Sequence, residues 1–369
     1  MNTGRVLPLL GGQQGAYVEV AGRMALNFSS NDYLGLAQDE GIRDQAFQMA
    51  APYPIGATGS RLMSGQHELV ALLESELAAF FQMPSALVFG SGYHANLGVL
   101  PALTQKGDLI LMDKLAHASL IDGARLSPAL LRRFSHQDMG HLKQYLERYH
   151  GKVNRIWVVT ESVFSMDGDQ ANLAEILALA RHYGAKVLVD DAHSVGIMGP
   201  QGRGVAAPYV SEIDVLVGTF GKAFGSYGAY VLASSQIRDY LIDRCRSFIY
   251  TTGLPSYVLA VSLLALRRLP ELDTERGHVA GMAKRLRNGL SDIGQAVLGD
   301  THIVPLLLGD SELTSQVSRW CLDSGIYVCA IRSPTVSEGA ARLRLSVTGL
   351  LKTADIDQVT TALRGYLKA

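Results

Sequence analysis

Cysteine is scarce: the 369 residues hold three, Cys245, Cys321 and Cys329. An odd number with no CxxC or Cys/His spacing excludes a disulfide framework and a structural zinc site, and fits a reducing compartment in which all three are packing residues. No apolar run reaches the roughly 18 residues of a membrane span. The longest candidate, at 258–266, is closed by Arg267 and Arg268. The first twelve residues carry one arginine and only a short apolar run before two glycines, too little for a secretory leader, so a soluble cytoplasmic protein is expected. Neither sign of charge dominates, with 33 Lys and Arg against 34 Asp and Glu and no blocks of either. A basic stripe of the kind that binds nucleic acid is therefore missing. Fixed-period repeats and low-complexity stretches are missing too.

What is present is a chain 48% hydrophobic with 38 glycines, the composition of a compact fold with many tight turns. Apolar runs of strand length occur at 86–89, 109–112, 156–160, 187–189, 215–217 and 229–232, between amphipathic stretches such as 68–81, 172–183 and 236–245. Strands that want burial on both faces, alternating with helices, predict an α/β fold with a mainly parallel sheet covered by helices on both faces. From about Pro270 the pattern changes to apolar runs at 303–308, 326–331 and 341–347 separated by helical segments, which reads as a smaller α+β domain. A hairpin around Gly22 is expected at 17–28. These readings divide the chain into an N-terminal segment at 1–40, a large domain at 41–272 and a small C-terminal domain at 273–369.

Ligands of open α/β sheets gather at the carboxyl ends of the strands, so the polar residues just after each apolar run are the candidates for chemistry. After the first run, Gly90-Ser91-Gly92-Tyr93-His94-Ala95 matches a degenerate glycine-rich phosphate loop opening a helix. Asp113 follows about 20 residues on, which keeps a nicotinamide-dependent oxidoreductase open as an alternative. Asp190, Asp191 and His193 leave another buried strand. Alternation along a strand lets only one of the two carboxylates face a ligand, leaving the other structural. Lys222, set among three glycines with Phe220 and Phe224, follows a third strand. Such surroundings desolvate an amine and lower its pKa, as a Schiff-base lysine needs, and the Walker A spacing is absent. No His, Asp or Glu grouping has metal-ligand spacing, so no metal is expected. A reactive lysine, an acid and a phosphate cradle together meet the requirements of pyridoxal phosphate.

These motifs, DDAHSVG with GPQGRG at 190–204 and TFGKAFGSYGA at 219–229, resemble the α-oxoamine synthase family of fold-type I pyridoxal-phosphate enzymes, within the class-II pyridoxal-phosphate-dependent aminotransferase superfamily. The resemblance extends to LNFSSNDYLGLA at 26–37, FGSGYHAN at 89–96, HASLIDGARLS at 117–127, ESVFSMDGD at 161–169, AIRSPTV at 330–336 and ARLRLSVT at 341–348. It implies that Lys222 carries the cofactor as an imine, that Asp190 partners its pyridine nitrogen, and that His193 and Ser165 bond its phenolic oxygen. His117 would stack on the ring and contact substrate, while Gly92, Tyr93 and Thr219 hold the phosphate. Asn31 and Arg332 would meet the substrate carboxylate, with Thr335 and Arg5 on the acyl side. Thr251 or Thr252 would reach the phosphate of a second subunit in a homodimer.

AIRSPTV and ARLRL most resemble the family's biotin-pathway branch. The implied reaction is decarboxylative condensation of L-alanine with a pimeloyl thioester of CoA or acyl-carrier protein. A relative that uses glycine or serine remains the alternative. The family usually has two prolines after AIR, and here Ser333 takes the place of the first.

Overall fold

A computed structural model describes residues 7–12 and 14–368. Arg5 lies outside the described residues. The chain divides into two compact units, one of residues up to Gln38, Ser165–Asp169 and Thr274 onward, the other of Asp39–Phe164 and Gln170–Asp273.

The first unit begins with β1 (Leu10–Gly11), β2 (Tyr17–Val20) and β3 (Arg23–Asn27). The predicted hairpin is β2 and β3, turning through Ala21 and Gly22, both at positive φ (49° and 82°). That conformation matches the right-handed twist of the flanking strands, and glycine adopts it without steric cost.

The second unit holds β4 (Ser85–Phe89), β5 (Leu109–Asp113), β6 (Leu130–Phe134), β7 (Ile156–Glu161), β8 (Lys186–Asp190), β9 (Val215–Thr219) and β10 (Ala229–Ala233). They form one sheet in the order β4-β10-β9-β8-β7-β5-β6, in which only β10 runs antiparallel to its neighbours. Both faces are covered, as the apolar runs require: Leu111, Val158, Val189 and Leu216 are sealed, as are Ile110, Val159, Leu188 and Val215. The six predicted runs are six of these strands. The seventh, β6, reads LLRRF and was not predicted, because an edge strand needs no continuous apolar run and tolerates Arg132 and Arg133. One consequence of the order is that β4, β5, β7, β8 and β9 deliver Gly90, Lys114, Ser162, Asp191 and Phe220 to the same end of the sheet.

The remaining strands belong to the first unit: β11 (Ile303–Gly309), β12 (Ile326–Tyr327), β13 (Cys329–Ile331) and β14 (Ala341–Ser346). The run expected as one strand at 326–331 is two. β12 pairs with β3, whereas β13 pairs with β14, and Val328 is buried at the crossing between the two sheets. The parallel β3–β12 pair ties the N-terminal segment to the C-terminal part of the chain. Arg342 and Arg344 of ARLRLSVT, both buried, complete that union. Arg342 donates to Asp167 Oδ1 (2.7 Å) and Met166 O (3.0 Å). Arg344 donates to Ser165 O (2.6 Å), Asn31 Oδ1 (3.2 Å) and Tyr33 OH (3.4 Å).

Candidate active site

A cavity of about 180 Å³ opens at the carboxyl end of the parallel strands in the second unit. Its wall begins at helix Gly92–Leu103, which follows β4 directly. Ser91 caps it, with extended backbone and Oγ accepting from His94 N at 3.1 Å. The amides of Gly92 and Tyr93 have no intrahelical acceptor in this first turn, so they sit at the positive end of the helix dipole and suit an anion. A Cβ added to Gly92 would meet nothing within 4 Å, which leaves the approach to these amides open.

The floor comes from β7, β8 and β9. Asp190 ends β8 and is 7% exposed, accepting from Asn96 Nδ2 at 2.6 Å and Ala192 N at 3.0 Å. Asp191 points the other way, as alternation predicts. It is fully buried and takes hydrogen bonds from the Ser162 and Ser194 hydroxyls, and burial pushes its carboxyl up to about 7. Ser194 in turn accepts from Val205 N at 2.8 Å, so Asp191 fastens the GPQGRG loop to the sheet. His193, buried, lines the cavity with Asp190 and Lys222.

Lys222 follows β9 in a tight loop closed by Gly225 N to Lys222 O (2.9 Å) and Ser226 N to Phe220 O (2.9 Å). Phe220 and Phe224 lie on either side of Lys222 in the chain. Both are fully buried in a cluster with Tyr230, ring centroids 5.1–6.2 Å apart, where they anchor the loop, and Lys222 itself is half-buried in the cavity wall. Within β9, just before the loop, Gly218 makes room for its cross-strand partner, since a Cβ there would lie 2.2 Å from the Tyr230 ring. Thr219 Oγ1 donates to Gly228 O (2.9 Å) and accepts from Gly221 N (3.1 Å), shaping the same turn at the cavity's edge.

His117 caps helix Ala118–Leu126, its Nδ1 2.8 Å from Ser119 Oγ. Burial holds its imidazole below the ordinary value, opposed by the nearby Asp190 and reinforced by Lys222. Asn96 and Ser119 join these groups. Asn96 Nδ2 donates to Ser119 Oγ (3.0 Å) as well as to Asp190, so one network links His117 to Asp190 across two helices. Glu161, at the end of β7, faces the same cavity.

Lys222, Asp190, His193, His117, Gly92, Tyr93 and Thr219 are thus brought together. Asn96, Ser119 and Glu161 belong with them; each lies in a motif visible in the sequence, but none was given a role from it. Ser165, Asn31, Arg332 and Thr335 are in the first unit. Asn31 has its oxygen engaged by Arg344 and by Tyr33 OH (3.1 Å), which orients its amide. Thr335 N bonds Arg332 O at 3.0 Å, closing a turn across the cis Ser333–Pro334 bond. Asp113, the acid a nicotinamide ribose would need, is committed to Leu115 N (2.8 Å), His136 Nδ1 (2.9 Å) and Gln137 N (3.2 Å). A larger depression of about 990 Å³ lies at the amino ends of the strands. Its charged residues are already paired, Arg155 with Asp108 and Lys186 with Asp214, which makes it a weaker candidate for chemistry.

The 8-amino-7-oxononanoate synthase of Chlorobaculum parvum is 43% identical over 98% of this chain and 94% of its own length. Among solved structures, a serine palmitoyltransferase from S. paucimobilis with PLP and myriocin bound matches with a TM-score of 0.93 at 31% identity, covering 97% of this chain and 92% of that one. The 8-amino-7-oxononanoate synthase of Francisella tularensis matches with a TM-score of 0.80 at 29% identity, over 93% and 98%. The family described as aminotransferase class I and II matches residues 23–363, and the chain belongs to it.

Proposed function

We propose that the protein is a pyridoxal-phosphate-dependent acyltransferase that condenses L-alanine with a pimeloyl thioester of CoA or acyl-carrier protein. The products are 8-amino-7-oxononanoate, CO2 and the free thiol, a step of biotin biosynthesis. The reading places the enzyme in the cytoplasm as a homodimer. No helix among the described residues is long and apolar enough to cross a membrane. The observation that carries the proposal is the convergence of Lys222, Asp190 and His193 on one cavity, in a chain 43% identical to a synthase of that name.

The cavity's donor set suits the cofactor. It offers an amine on one strand end, a carboxylate held by two hydrogen bonds on the next, and open helix-start amides at Gly92 and Tyr93. When bound, pyridoxal phosphate supplies an aldehyde for imine formation and a ring that accepts an electron pair from substrate. Lys222 would be the residue that holds the aldehyde, and its amine would be the base for the substrate Cα proton. Asp190, oriented by the Asn96 and Ala192 donors, would face the pyridine nitrogen and hold a proton there. His193 would bond the phenolic oxygen, a role the family resemblance also gives Ser165; His117 would cover the ring, and Gly92, Tyr93 and Thr219 would bind the phosphate. Asn31 and Arg332 bind the substrate carboxylate, with Thr335 and Arg5 toward the acyl chain. Thr251 or Thr252 contributes to the partner's phosphate site.

Borohydride reduction of the active protein followed by peptide mapping should label Lys222, and Lys222→Ala should lose both the visible absorbance and turnover. Active wild-type protein with Lys222 unlabelled overturns the reading. Turnover of alanine, glycine and serine against a panel of acyl thioesters separates this activity from that of a glycine- or serine-using relative.

A further inference from the structure

The register of the central sheet sets Glu161 of β7 directly beside Asp190 of β8. Paired residues on neighbouring strands project to the same face, so two carboxyl groups enter the cavity side by side. Glu161 is 3% exposed, and its carboxyl takes a hydrogen bond from the His117 backbone. Its Oε1 is buried without a hydrogen-bond partner among the described residues. A buried carboxyl oxygen left unpaired is costly, and of the carboxyl oxygens that line the cavity this is the one so left.

We propose that Glu161 is a positioning residue of this site, holding the His117 backbone in place and keeping Oε1 for a hydrogen bond to the group bound beside Lys222. The proposal rests on the reading of the cavity as a pyridoxal-phosphate site. Its two carboxyl groups divide the work. Asp190 takes hydrogen bonds from Asn96 and Ala192, whereas Glu161 takes one from the His117 backbone. Burial raises Glu161 well above the usual range and Asp190 raises it further, against the lowering effect of Lys222 and of the His117 amide; Asp113 on β5 adds a smaller push upward. These effects favour the protonated form of Glu161, which can donate a hydrogen bond.

Cofactor titration of the apoprotein tests this with pyridoxal phosphate as the probe, read by absorbance between pH 6 and 9. Glu161→Ala should raise the dissociation constant at pH 7 at least tenfold. Glu161→Gln, which keeps the shape and an acceptor without ionising, should stay within threefold. Wild-type affinity should fall as pH rises and Glu161 ionises beside Asp190, and this fall should be smaller in Glu161→Gln. Wild-type affinity in a normally melting Glu161→Ala apoprotein overturns the proposal, as does Glu161→Gln binding as weakly as Glu161→Ala. If Glu161→Ala does not fold, the pH profile of Glu161→Gln decides, and one superimposable on wild type overturns it. Wild-type protein that binds no pyridoxal phosphate overturns the functional reading first, and this proposal with it.

Discussion

Asp190 and Asp191 are neighbours in the chain and opposites in environment, and their substitutions should separate cleanly. Asp190→Asn leaves a side chain that cannot hold a protonated pyridine through charge. Solvent exchange of the alanine α-proton should drop by about a hundredfold or more while the cofactor stays bound. Exchange at the wild-type rate would remove Asp190 from its role. Asp191 is raised to about 7 by burial, far above the ordinary value of 3.8 that the carboxyl has in an unfolded chain. The folded state therefore keeps a proton that the unfolded chain gives up, and Asp191's contribution to stability is present below pH 4 and lost as pH rises toward 7. Asp191→Asn lacks this titration. In urea unfolding of the apoprotein, the stability of wild type relative to Asp191→Asn should decline between pH 5 and pH 8. A difference that does not change with pH would contradict the assignment.

At the scale of elements, the approach of two helices builds the network behind Asp190. Helix Ala118–Leu126 meets helix Gly92–Leu103 at Gly123, where a Cβ would stand 2.3 Å from the Asn96 carbonyl oxygen. Gly123→Ala must push the helices apart at the point where Asn96 bonds both Ser119 and Asp190. A loss of about 1–3 kcal/mol in urea unfolding is expected from the overpacking, together with weaker cofactor binding. Asn96→Ala should cost about 1.5–3 kcal/mol by removing a donor to a buried charge. None of this was legible in the sequence, because one asparagine in an apolar helical pattern carries no sign of which strand end it will meet. What the sequence made plain was the element that needs no partner to announce itself. Strands sealed on both faces are continuous apolar runs, so six of the seven central strands and the polar residues at their carboxyl ends could be read directly. The edge strand with Arg132 and Arg133 and the split at Val328 depend on neighbours distant in the chain. The alternation of Asp190 and Asp191 is local geometry and was foreseen; the pairing of Glu161 with Asp190 is sheet register and was not.

At the scale of the whole molecule, the second unit leaves large apolar side chains in water where two of its segments join. Residues 59–65 and 250–253 are tied by the Ser60–Thr252 bridge and by Gly253 N to Gly59 O at 3.0 Å. On and beside them Ile55 is 96% exposed, Met63 84% and Tyr250 71%, next to the Thr251 and Thr252 expected to reach a second subunit. Scattered exposed apolar residues need no explanation, but a group on joined segments beside a proposed shared site is what a subunit contact covers. Replacing Ile55 and Met63 together by Asp puts two charges where a two-fold contact would desolvate them, and each would be met twice in a patch that faced its own copy. Sedimentation should then report one chain where wild type reports two. Far-ultraviolet circular dichroism should be unchanged, since neither side chain packs in the core, and cofactor affinity should fall if Thr251 or Thr252 completes the partner's phosphate site. A double variant that sediments as wild type would place the subunit contact elsewhere on the surface.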